Sequence, residues 1–112
     1  MRAPRLSRRL ALEELLLAPD GAGGLTKVWE GLGYLWAEIT PGSGRLEPGE
    51  GAARGEILAR ILTRAALPGS PQRPAPGQRF REGGRVWQVL AVAEAERDAR
   101  YLISHVKEEV PL

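Results

Sequence analysis

The chain has 112 residues, a length that fits a single domain spanning residues 1–112 with a core of its own. It contains no cysteine, which excludes disulfides, thiolate metal sites and a cysteine nucleophile, and a single histidine, His105, cannot form a histidine-rich metal site. The formal net charge of +2 is a mild basic excess, whereas polyanion-binding domains usually show a clustered basic face.

The N-terminal third has the pattern of a hairpin. Residues 8–17 fit either a strand or a helix, and we favour a strand because the neighbouring hairpin pattern needs a partner. Proline and glycines predict a turn at 19–24, where Asp20 and the glycines serve the turn itself. A short strand is predicted at 26–29, and the glycines that follow should break it.

The middle of the chain combines a clear strand with an ambiguous segment. Alternation predicts a strand over 34–40, and its apolar groups on both faces suggest that the second face is covered as well. Residues 41–55 contain few groups able to pack a core, so we predict a long loop. Residues 56–66 carry an apolar stripe at helical spacing but also fit a strand, and local propensity favours the helix.

The C-terminal third predicts a second hairpin. A proline-rich run at 68–77 should be extended, without regular pairing. Short strands are predicted at 79–81, 86–92 and 100–106, with a charged loop at 93–99. About six short strands with long loops predict a mostly β chain, folded as a small β-barrel or sandwich. The inward positions of the clearest strands form the predicted core: Leu35, Ala37, Ile39, Val86, Leu90, Leu102 and Val106.

No residue constellation predicts catalysis. The glycines at 21–24 lack the lysine of a phosphate-binding loop, and the acidic residues at 94–98 fit a solvated loop better than a cation site. The longest apolar stretch, at 15–18, is too short to span a bilayer. We therefore expect no enzyme activity, no cofactor, no metal and no membrane partner.

Taken in chain order, several segments are similar to those of the phage head-tail joining family, whose members are also called head closure, head completion or stopper proteins. No single motif is specific, but the ordered set covers nearly the whole chain. It comprises the basic opening at 2–9, Asp20–Gly24 leading to Thr26–Trp29, Leu35–Gly44 with its Trp-Ala-Glu strand and Pro-x-Ser-Gly turn, Ile61–Arg64, Phe80–Val89 and Arg97–Glu109.

The resemblance implies a structural protein rather than an enzyme. Such proteins form a homo-oligomeric ring under the portal and adaptor of a packaged capsid, close the DNA channel and present a surface to the tail. The partners implied are the portal or adaptor protein, a tail terminator or completion protein, and the packaged DNA. The resemblance also implies assembly in the bacterial cytoplasm, residence in a virion or virus-like particle such as a gene transfer agent, and a strand at 56–66.

Two candidate sites follow from this resemblance. The loop at 42–55 is expected to enter or line the channel, where Glu47 and Glu50 would repel passing DNA and Arg45 and Arg54 would hold it when the gate is shut. A hairpin tip without a role is the alternative. The arginines of the basic opening, Arg2, Arg5, Arg8 and Arg9, fit contact with a polyanion, a solvated tail or docking on acidic groups of another protein, and docking on a partner is the expectation.

A different class of function also fits a small β domain. An OB or SH3-like barrel that binds nucleic acid would show a basic face with aromatic platforms. In this chain the aromatic residues are few and mostly lie within apolar strand patterns, so we rank this alternative second.

Overall fold

The computed structural model describes residues 3–46, 54–95 and 99–111. Six strands run through these ranges, as the sequence predicts, and the described residues include no helix that is long and apolar enough to cross a membrane. The strands are β1 (Arg8–Pro19), β2 (Leu25–Leu46), β3 (Arg54–Arg64), β4 (Arg79–Glu82), β5 (Arg85–Glu94) and β6 (Tyr101–Pro111).

The strands form one antiparallel sheet that closes on itself as a barrel in the order β1-β2-β3-β6-β5-β4. The closure between β1 and β4 is short, because only Ala11, Leu12 and Glu13 pair with β4. The prediction of a mostly β chain is therefore confirmed, and of the two predicted architectures, barrel or sandwich, the strand order is that of a closed barrel.

Strand β3 resolves the ambiguous segment at 56–66. It lies between β2 and β6 and pairs with β6 along its whole length. Ala59, Ile61 and Thr63 are buried in strand alternation, so the helix favoured by local propensity is wrong and the strand implied by the family resemblance is correct. Pairing on both edges decides the conformation here, since tertiary context outweighs a weak helical preference.

Strand β2 is longer than the sequence predicts. The expected break between two short strands is instead a bulge within one strand, where Gly33 and Gly31 oppose consecutive residues of β1 and Leu32 is the extra residue. Gly33 has a φ of 130°, a conformation that favours glycine. The predicted loop at 41–55 is wrong at both ends, because β2 continues to Leu46 and β3 begins at Arg54.

Some of the residues predicted to form the core are buried and others are not. Ala37, Leu102 and Val106 are buried as expected, and Leu35 and Ile39 pack against the core from partly buried positions. The prediction for β5 is wrong, because the buried side chains there are Trp87 and Val89, whereas Leu90 is 47% exposed and Val86 is half-buried. Side chains alternate between the two faces of a strand, so placing β5 one residue out of step assigns the wrong face to the core.

Candidate interaction surfaces

A two-stranded ribbon extends beyond the barrel. Residues 14–19 of β1 and 25–30 of β2 pair with each other, and in the described part of the chain they pair with no other strand. We call residues 14–30 the arm. The molecule is accordingly elongated, with extents of 54 × 35 × 22 Å and a radius of gyration of 15.3 Å, against about 13 Å for a compact domain of this length.

The base of the arm is fixed to the barrel by a buried carboxylate. Glu13 accepts hydrogen bonds from Nε of Arg79 at 2.7 Å and from Nε of Arg81 at 3.0 Å. Burial alone raises the pKa of the Glu13 carboxyl, but the hydrogen bonds and charges of the two arginines outweigh it and leave the pKa below its ordinary value. The Arg79 guanidinium also lies 4.1 Å from the ring centroid of Trp29, which links β4 to the arm.

The tip of the arm is a turn capped by its own side chain. Oδ1 of Asp20 accepts hydrogen bonds from the backbone N–H groups of Ala22 at 2.7 Å and Gly24 at 3.0 Å, and these bonds lower the Asp20 pKa. Gly21 and Gly23 have φ angles of 82° and 86°, which glycine adopts without strain. The predicted turn is confirmed, and both ends of the arm are ordered by specific contacts.

The arm exposes large apolar side chains on both of its faces. Leu17 and Leu25 are 63% and 65% exposed, and Val28 on the other face is 43% exposed. Leu15 and Leu16 are exposed as well. Contiguous apolar groups of this kind mark an interaction surface, because a soluble monomer gains nothing by leaving them in water.

A second surface lies on the outer side of the barrel, across β1, β2, β3 and β6. Its members face away from the core, because they alternate with buried neighbours such as Ala37 and Ile61. Trp36 is 57% exposed, and Glu38 projects from the same side of β2. A shallow depression of about 180 Å³ between β2 and β6 is lined by Glu38, Thr40, Arg60, Leu62 and Ile103. We call this surface the platform; it consists of Arg9, Trp36, Arg60, Leu62, Arg64 and Ile103.

The four arginines predicted to dock a partner do not form one cluster. The backbone N–H of Arg5 donates to Oε2 of Glu38 at 2.9 Å, and Arg8 forms an ion pair with Glu82 that lowers the Glu82 pKa. Of the four, Arg9 belongs to the platform, and its guanidinium lies 4.0 Å from the ring centroid of Tyr34. Arg2 lies outside the described residues.

The sequence prediction missed most of the platform. Trp36, Arg60 and Arg64 were not proposed as site residues, although the apolar groups on both faces of residues 34–40 had indicated a second covered face. Arg60 and Arg64 belong to the segment with helical spacing, so their position on a sheet face could not be assigned until β3 was known to be a strand.

The residues predicted to gate a channel are only partly described. In the backbone register Arg45 is paired with Ile57, and Arg54 begins β3 opposite Pro111. Glu47 and Glu50 lie outside the described residues, as does the rest of 47–53. The structure therefore places the two arginines on the strands that flank this segment.

Neither surface has the donor groups of a metal site. Within residues 3–46, 54–95 and 99–111 no group of three or more His, Asp or Glu side chains is placed to hold a metal ion. His105 is exposed on β6, paired with Arg60. What the arm and the platform offer is apolar area bordered by charges, which suits contact with another macromolecule.

Two comparisons with known proteins point to the same kind of protein. The family model described as phage head completion protein matches residues 1–109. The chain is similar to a protein in the solved structure of the virion of a native gene transfer agent particle, with 45% identity over 98% of this chain and 100% of that chain and a TM-score of 0.83. None of the curated proteins compared with the chain matches it.

Proposed function

Since the chain belongs to the phage head completion protein family and is a structural component of a phage-like head, we propose that its copies form a ring in the head-tail connector. The ring lies beneath the portal or adaptor protein, closes the DNA channel after packaging and docks the tail. The observation that carries this proposal is the likeness, over 98% of the chain, to a protein of a gene transfer agent virion.

The shape of the subunit suits such a ring. Each subunit needs two different lateral surfaces, since a head-to-tail contact between unlike surfaces closes into a ring when the rotation allows it. The arm and the platform are two such surfaces: the arm extends β1 and β2 beyond the barrel, and the platform lies on the barrel's outer side. In this proposal residues 1–112 act as one non-enzymatic domain, assembled in the bacterial cytoplasm and retained in the finished particle.

In this ring, residues 42–55 enter or line the DNA channel. Arg45 and Arg54 flank the acidic residues Glu47 and Glu50 in the sequence, and this charge pattern fits a segment near DNA. Deleting residues 47–52 should leave the melting temperature close to that of the parent but give heads that leak DNA or fail to take tails. Normal yields of infective or transducing particles from the deletion would refute the gating role.

Deleting the gene in a producing strain tests the connector proposal directly. We expect heads without tails in negative-stain images, and recovery of tailed particles when the parent chain is supplied from a plasmid. An empty plasmid is the control for the complementation. Tailed, active particles from the deletion strain would contradict the proposal.

A nucleic-acid-binding barrel predicts a different result. Tight filter binding of DNA by the isolated protein, weakening steeply as salt rises, would support that function instead. The connector proposal predicts weak binding without a steep salt dependence. Arg8, Arg79, Arg81 and Arg85 are paired with carboxylates, and the three platform arginines Arg9, Arg60 and Arg64 are too few for a steep salt slope.

A further inference from the structure

We propose that the arm of one subunit lies on the platform of the next copy, with Glu14 and Glu30 facing the platform arginines. This inference rests on the proposed ring and names the two surfaces that build it.

The arm carries two carboxylates that oppose each other. Glu14 and Glu30 are direct cross-strand partners, an arrangement that destabilises a hairpin when no cation is near. In the described part of the chain neither forms an ion pair. Arg73 lines the same cavity as Glu14, but its Nη1 donates to the Ala66 carbonyl at 3.0 Å.

Beside these carboxylates lies an exposed apolar pair. Leu16 and Val28 are the next pair on the same face of the ribbon, and they are 38% and 43% exposed. This face of the arm therefore presents two apolar side chains bordered by negative charge. A fitting surface has apolar groups bordered by positive charge.

The platform has this composition. Leu62 and Ile103 are paired at its centre, Glu38 is the partner of Leu62 on β2, and Trp36 is the next outward residue of that strand. Among the described residues none of Arg9, Arg60 and Arg64 forms an ion pair with a carboxylate; Arg9 lies over Tyr34, and Arg64 lies 6.0 Å from the Tyr101 ring centroid. Arginine forms strong paired hydrogen bonds with carboxylates, so these groups match Glu14 and Glu30.

A subunit cannot bring its own arm carboxylates onto its own platform. Arg9 and Glu14 are five residues apart on the uninterrupted strand β1, so their side chains project from opposite sides of the sheet. The bulge at Gly31–Gly33 keeps Glu30 on the side of Glu14, whereas Trp36 shares the side of Arg9. The contacts of Glu13 with Arg79 and Arg81 oppose a rotation of the arm. The match requires a second copy.

Other contacts between two copies are electrostatically worse. Two arms side by side bring glutamates together, and two platforms bring arginines together. An arm on a platform brings two glutamates to a face that carries three arginines and one glutamate, Glu38, so the net charges are opposite. It is a head-to-tail contact, and such contacts can close into a ring.

Charge reversal with rescue tests this contact. The arm variant is Glu14→Lys with Glu30→Lys, which keeps the like-charge pair within the hairpin and so keeps its local cost. The platform variant is Arg60→Glu with Arg64→Glu, and a third chain carries all four changes. Glu94→Lys, at an exposed carboxylate on β5, is the matched control. All chains are checked by thermal melting and then supplied to the deletion strain.

We expect each double variant to lower the amount of the chain in purified particles and the particle titre by roughly tenfold or more. The fourfold variant should recover most of both, because every interface then has both charges reversed, and the control should match the parent. A fourfold variant as defective as the double variants would overturn the inference. A defect limited to the platform variant would also overturn it and would assign that surface to DNA or another protein.

The result separates the inference from the proposed function. If the parent chain is absent from purified particles, the connector proposal fails. If the parent is present and both double variants assemble normally, only the arm-on-platform contact fails.

Discussion

Glu13 joins three parts of the molecule through one side chain. It lies on β1 at the closure of the barrel, holds Arg79 and Arg81 of β4 and, through Arg79, orders Trp29 in the arm. Only 8% of the residue is exposed, so its charge is compensated by the two arginines rather than by water. A side chain in this position couples barrel closure to the orientation of the arm.

Replacing Glu13 with Gln should therefore destabilise the fold at neutral pH. Loss of two hydrogen bonds between charged groups suggests a cost of about 1–3 kcal/mol, toward the lower end because Arg81 is 40% exposed. Urea unfolding at pH 7 measures the change, with Glu94→Gln as a control at an exposed carboxylate. Equal stability of Glu13→Gln and the parent would show that the ion pairs contribute nothing.

The lowered pKa of the Glu13 carboxyl predicts how the stability of the fold depends on pH. The folded-state pKa values of Glu13 and Glu82 lie below their ordinary value of 4.5, so both groups stabilise the fold above that value. This contribution is lost as the pH falls from 4.5 through the lower folded-state values. The difference in melting temperature between the parent and Glu13→Gln should shrink over this acid range. A constant difference would contradict the assigned pKa shift.

At the scale of single strands, β5 is the strand whose buried face differs from the one predicted from the sequence. Both faces of this strand carry apolar residues, so the sequence alone does not say which face is buried. In the structure Trp87 and Val89 fill the barrel, and the ladder with β6 shifts register between Val89 and Ala91. Leu90 lies at this irregularity and is exposed.

Two alanine substitutions measure the orientation of β5. Val89→Ala removes two buried methyl groups and should cost about 2 kcal/mol, since each carbon contributes about 0.8 kcal/mol and a cavity remains. Leu90→Ala, the matched control, should change stability by roughly 0.5 kcal/mol or less. Denaturant unfolding of both variants distinguishes the two faces. A larger loss from Leu90→Ala would reverse the orientation.

The sequence predicted six strands and the β class because glycine turns and alternation are local signals. It did not predict that β2 runs unbroken past Gly31 and Gly33, because a bulge depends on which residues of β1 lie opposite. The strand conformation of β3 likewise depends on its pairing with β2 and β6. The interaction surfaces depend on these pairings, so of the six platform residues only Arg9 was predicted as a site residue.

At the scale of the whole molecule, assembly should depend on partners. The arm and the platform offer small apolar areas bordered by charge, and interfaces of this kind hold two proteins weakly unless many are made together. We expect the isolated chain to sediment as a monomer or in weak exchange, and to form rings on the head or the tail. Sedimentation velocity over a range of concentrations checks this expectation. Stable rings of the isolated chain would contradict it.

The position of the chain in the particle is the most direct test of the connector function. Electron cryomicroscopy of purified particles should show a ring of copies of this barrel between the portal or adaptor and the tail. In particles from the deletion strain, that density and the tail should both be missing. Density for the chain in the capsid shell or along the tail, or an unchanged connector in the deletion particles, would contradict the connector function.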